Sequence, residues 1–198
     1  MNHKIYLFLF SLIFFLLVVV IRSYLLWKKT GISPMTFDGS DDAHDFQGKL
    51  FKIILFLEFL MIGIYCFGGD WYVYLLPIWY LENESLQLFG WILLHLSLIW
   101  IFIAQLQMKD SWRIGIDEKN KTELVTDGLF QFSRNPIFLG IIIVDIGILL
   151  LIPNALSLCI VALSVASIHT QVRLEESFLK KSFGKEYWEY CERVGRWI

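Results

Sequence analysis

Residues 137–168 read IFLGIIIVDIGILLLIPNALSLCIVALSVASI: two apolar runs, Ile137 to Ile152 and Ala155 to Ile168, parted only by Pro153 and Asn154. So short a break predicts a tight helical hairpin. Its near absence of charge places it in a bilayer. Working outward, Ile5 to Ile21 is interrupted only by Ser11, and with its flanks to Trp27 it is long enough to cross the ~30 Å hydrocarbon core as a helix. No small-residue cleavage site follows this run and Arg22, Lys28 and Lys29 come after it, so a retained anchor is expected. Two further runs, about Leu50 to Phe67 and about Leu86 to Leu106, bring the expected count to five spans. Gly68-Gly69 closes the second, and Trp71, Tyr72, Tyr74, Trp79 and Tyr80 beyond it suit a membrane interface.

The composition agrees. Of 198 residues 57% are hydrophobic, against roughly 45–50% in an ordinary soluble domain, and the net charge of −2 offers no basic surface for nucleic acid. Cys66, Cys159 and Cys191 are an odd, scattered set read as packing residues. Asp41, Asp42, His44 and Asp45 read as a solvated loop and helix start, so no metal is expected. With five spans, every lysine and arginine except Lys4 falls on one side. The positive-inside rule then predicts an outside N-terminus and a cytoplasmic C-terminus. The expected fold is all-α and polytopic: a single membrane domain over 1–198, with spans four and five as the hairpin. Beyond Gln171, Val172, Phe178, Leu179 and Phe183 fall near helical spacing, as in an amphipathic helix lying on the membrane that Gly184 ends before a second turn at Lys185.

The concentrated polar chemistry lies in the loop before span four and in the tail. Asn135-Pro136 reads as a helix cap with proline in the first turn, and the same geometry aims unpaired N–H groups at an anion; the two readings are compatible. Glu175 and Glu176 point about 100° apart on a helix and read as a charged interfacial turn or as a site. Glu58, His95 and Asp145 lie at membrane depth, where ionisable groups suggest function; a hydrogen bond between helices is the plain alternative for His95.

Leu124-Val125-Thr126-Asp127-Gly128-Leu129-Phe130, then Ser133-Arg134-Asn135-Pro136-Ile137-Phe138-Leu139-Gly140, then Glu175-Glu176, then Phe183-Gly184-Lys185-Glu186-Tyr187 with Tyr190 occur in that order around the hairpin. This ordered set resembles the isoprenylcysteine carboxyl methyltransferase and phospholipid methyltransferase superfamily, whose pattern runs LV-x-x-G-x-Y, R-H-P-x-Y-x-G, hairpin, E-E, F-G-x-E-Y-x-x-Y. The resemblance implies methyl transfer from S-adenosylmethionine to an acceptor that is lipid-like or small: a prenylcysteine carboxylate, a phospholipid amine or a thiol. By position, the cofactor would meet Thr122, Glu123, Leu124, Val125, Phe130, Asn135, Pro136, Ile137, Phe138 and Glu175. Residues 109–198 would then be the cofactor half and 1–108 the acceptor side. Arg173 and Arg134 are the expected cationic anchors for an acidic acceptor, and Glu176 the expected base for an amine. Asn135 replaces the family's histidine, and Phe138 and Phe130 replace tyrosines, which removes an imidazole and two phenols. A membrane reductase of the steroid reductase type using nicotinamide, or a scaffold without catalysis, are the rival expectations. Membrane lipids are the expected surroundings and a bacterial inner membrane the expected location.

Overall fold

The computed structural model describes residues 3–37, 42–117, 120 and 122–198; of the positions used above, Asp41, Lys119 and Lys121 lie outside them. Described elements are helical: α1 (His3–Phe15), a π-helical stretch (Leu16–Ile21), α2 (Arg22–Thr30), α3 (Ala43–Phe67), α4 (Glu84–Met108), α5 (Pro136–Leu151), α6 (Ala155–Phe183) and α7 (Lys185–Arg193). Four continuous helical stretches, His3–Thr30, Ala43–Phe67, Glu84–Ser111 and Ala155–Phe183, are long and apolar enough to cross a membrane. The fifth expected span, α5, has 16 residues, about 24 Å at 1.5 Å per residue, short of the ~30 Å core.

Local chemistry explains most helix ends. Asp42 caps α3 by accepting from Asp45 N–H at 2.8 Å, and Asn83 caps α4 through Leu86 N–H at 3.0 Å. At the turn of the hairpin, Asn154 and Ser157 cap one another's backbone at 2.8 and 3.0 Å, a reciprocal arrangement that starts α6 directly after Pro153. The first span departs from a regular helix. Its π-helical stretch lies where the Val18 carbonyl accepts from the buried Gln105 Nε2 of α4 at 2.8 Å.

The core is apolar, formed by residues such as Leu7, Ile54, Met61, Leu94, Ile101, Val144, Ile148 and Ile160. Helices α4 and α5 run antiparallel in close contact: a Cβ on Gly90 would lie 2.9 Å from Gly147 O, and a Cβ on Gly140 would clash with Ile101. Sites at membrane depth join helices. His95 Nδ1–H donates to Trp91 O at 2.7 Å, so its Nε2 accepts from Tyr6 O–H, also at 2.7 Å, tying α1 to α4. Asp145 accepts from Ser164 Oγ of α6 and has Glu58 of α3 as a neighbour.

Two expectations change. The tail beyond Gln171 is no separate surface helix: α6 continues to Phe183 without a break, because Val172 and Glu176 stay buried in the bundle and no glycine or proline intervenes before Gly184. Asn135 occupies the N-cap position of α5 with Pro136 in the first turn, yet its side chain does not cap.

Candidate active site

The loop between α4 and α5 is shaped by Gly128. Its φ of +64° favours glycine, and a Cβ would strike the Gln107 amide, whose Oε1 accepts from Leu129 N–H at 2.8 Å. The turn Gly128–Gln131 then buries Phe130. Ser133 Oγ accepts from Asn135 N–H at 3.1 Å, and Asn135 Nδ2 donates to Arg196 O at 3.2 Å. The first turn of α5 is thus left without a side-chain cap. Helix N-termini in this state present N–H groups and the positive end of the dipole to an anion.

The C-terminal tail closes onto this turn. Tyr187, Tyr190 and Val194 of α7 and the following strand-like segment form a small buried cluster against which Leu124, Leu179 and Phe183 pack. Tyr190 O–H donates to Phe130 O at 2.6 Å, and Arg134 N–H donates to Gly195 O at 3.1 Å. Glu176, buried on α6, accepts from Arg134 at 2.9 Å and from Arg196 at 3.0 and 2.7 Å. Arg134 also donates to the carbonyls of Cys191 and Val194. One carboxylate between two guanidiniums therefore fastens the chain end to the start of α5. Burial pushes the Tyr190 and Tyr187 hydroxyls well above their usual range, and the bond to Glu176 holds the Arg196 guanidinium further toward its charged form.

Leu124, Phe130, Arg134, Asn135, Pro136 and Glu176 thus converge at the basic end of the bundle. Arg134 and Glu176, expected to face an acceptor, bond to each other, and both Glu176 oxygens are engaged by guanidiniums. Thr122 and Val125 are half-buried alongside, and Glu123 is exposed with its N–H on Ser111 Oγ at 3.0 Å. Ile137 and Phe138 are half-buried in the uncapped turn. Glu175 sits on a different face of α6, where its Oε1 accepts from Gln171 Nε2 at 2.8 Å. Arg173 is exposed and donates to His169 O at 2.8 Å. Sequence reasoning overlooked three contributors: Arg196, which lies in the irregular tail where no periodicity points; Ser133, a small residue with several local options; and Gln171, whose i−4 spacing from Glu175 was its one available signal.

An all-helical membrane protein whose C-terminal half gathers widely separated polar motifs at one end of the bundle is the class that fold and site define. Within it, the chain belongs to the phospholipid methyltransferase family, which it matches over residues 85–186. It is similar to protein-S-isoprenylcysteine O-methyltransferase B of Arabidopsis thaliana, 33% identical over 82 residues, covering 41% of this chain and 42% of that protein. It is also similar to the Saccharomyces cerevisiae protein-S-isoprenylcysteine O-methyltransferase, 38% identical over 73 residues, covering 36% of this chain and 30% of the yeast protein. The chain thus spans less than half the length of these relatives. They come from a plant and a yeast, and lend no support to a bacterial location. No solved structure matches the chain.

Proposed function

We propose that this protein is a membrane methyltransferase that moves a methyl group from S-adenosylmethionine to a lipid-like or small acceptor, with the basic end of the bundle facing the cytoplasm and α5 completing five crossings. The observation that carries this reading is the convergence of the family's separated motifs on one turn whose first N–H groups have no side-chain cap. The residues present fit the donor: an uncapped helix start suits its carboxylate, Glu175 suits its ammonium, and Phe138 offers a ring to adenine or the sulfonium. When bound, the donor supplies a methyl carbon already activated by the sulfonium, so an acceptor carboxylate or thiolate needs no base.

The chain's task is then placement. Holding nucleophile and methyl carbon about 3–3.5 Å apart and in line accounts for much of the rate of such a displacement. The Arg134–Glu176–Arg196 cluster fixes the α5 turn and the tail against each other, so it acts on geometry rather than on a proton. Arg173, exposed at the same end, is the cation left to meet an acidic acceptor. Asn135 gives up the histidine's proton chemistry, which in-line transfer to a carboxylate does not use.

Calorimetry of S-adenosylhomocysteine with detergent-purified protein tests the reading. Saturable binding, weakened tenfold or more in Glu175→Ala, is expected; that loss matches the ~1.5–3 kcal/mol of a hydrogen bond to a charged group. Folded protein that binds no adenosyl ligand, or that binds reduced nicotinamide instead, overturns it.

A further inference from the structure

Ser164, Ser167, Gln171 and Glu175 follow one another at spacings of three and four, so they share one face of α6. The first three are almost wholly buried. Along this seam the polar groups find partners inside the fold: Ser164 donates to Asp145, and Ser167 and Gln47 bond each other's carbonyls, Ser167 Oγ to Gln47 Oε1 at 3.1 Å and Gln47 Nε2 to Ser167 O at 3.1 Å. Gln171 breaks the pattern. Its Nε2 donates to Glu175 Oε1 at 2.8 Å, while its Oε1 is buried and has no partner. The amide cannot be turned round without setting its oxygen against the carboxylate, so the acceptor stays where it is.

A buried acceptor left unpaired is unfavourable unless something donates to it. Here it is the neighbour of a carboxylate. Two acceptors one helical turn apart, one anionic and one neutral, match a group with several N–H donors and a positive charge. We propose that Gln171 and Glu175 form a two-point receptor for a primary ammonium, and that Gln171 Oε1 takes a second N–H of the donor's amino-acid end. This deepens the methyl-donor reading above and rests on it. Gln171 then distinguishes donors that carry the ammonium from adenosyl compounds that lack it.

The test compares two probes by calorimetry, S-adenosylhomocysteine and its deaminated analogue, which differs only by the amino group, on the full chain and on Gln171→Met. Wild-type protein is expected to prefer the amino compound, and Gln171→Met to lose about tenfold of that affinity while binding the deaminated analogue unchanged. A folded Gln171→Met protein with the wild-type ratio of the two affinities overturns the inference and leaves the methyl-donor reading standing. Absence of wild-type binding to both probes overturns both. Should Gln171→Met lack a cooperative thermal transition, Gln171→Asn, which keeps the amide but withdraws its oxygen, carries the same expectation.

Discussion

The α4–α5 seam and the tail latch join parts of the same chain by opposite means. In the seam, Gly90, Gly140 and Gly147 remove side chains so that two apolar helices meet almost backbone to backbone; within a membrane, lipid competes for apolar surface, and close fit is what remains to bind helices. In the latch, Glu176 gathers Arg134 and Arg196, and backbone carbonyls satisfy the rest. A close-packed seam loses its fit with any added atom, whereas the latch concentrates its strength in one carboxylate.

The largest effect is expected from the latch. Glu176→Ala leaves two partly buried guanidiniums without their anion, a change of the kind that destabilises by about 3–5 kcal/mol, with exposure of Arg196 placing the effect at the lower end. Thermal unfolding in detergent should show a lowered midpoint, and limited proteolysis should cut within 185–198 first. Next is the seam: Gly90→Ala introduces a Cβ 2.9 Å from Gly147 O, and overpacking of this sort is expected to destabilise by about 1–3 kcal/mol. An unchanged unfolding midpoint would show the seam to be looser than its geometry.

A smaller change is expected from Tyr190→Phe, which removes one hydrogen bond to Phe130 O, worth about 0.5–1.5 kcal/mol. It also sharpens the contrast through pH. The folded Tyr190 hydroxyl titrates above its ordinary range, so its contribution is complete below the unfolded value near ~10 and is lost as pH rises past it. Stability should therefore fall less steeply above that pH in Tyr190→Phe than in wild type. The smallest stability effect belongs to Arg173→Ala: this exposed residue should leave the midpoint within about 0.5 kcal/mol, while weakening an acidic acceptor if the proposed role holds.

Much of the frame was legible in residue order. The hairpin is marked by Pro153-Asn154, and the helix start at Asp42 follows from a side chain that reaches its own backbone. The convergence of Leu124, Phe130 and Asn135 with the tail was readable as an ordered set of motifs. Other features were not. That Arg134 and Glu176 bond to each other was not legible, because a charge looks the same in sequence whether it meets a substrate or another side chain. The donor to Val18 O, inside the π-helical stretch at Leu16–Ile21, is Gln105, 87 residues away. α6 runs on past its apolar stretch because Glu176, though charged, is buried with its counter-ions, a pairing that residue order does not display.

The membrane class and the helical character of the chain therefore follow from residue order alone. These rest on hydropathy, capping and charge, which act over a few residues at a time. Only the tertiary structure decided that Glu175 and Glu176, adjacent in the chain, take different tasks. The turn between them on α6 aims one at Gln171 and the other at Arg134 and Arg196. Gln171 lies one helical turn from Glu175, but Arg134 and Arg196 reach Glu176 from 42 and 20 residues away, where no local rule of sequence contains them.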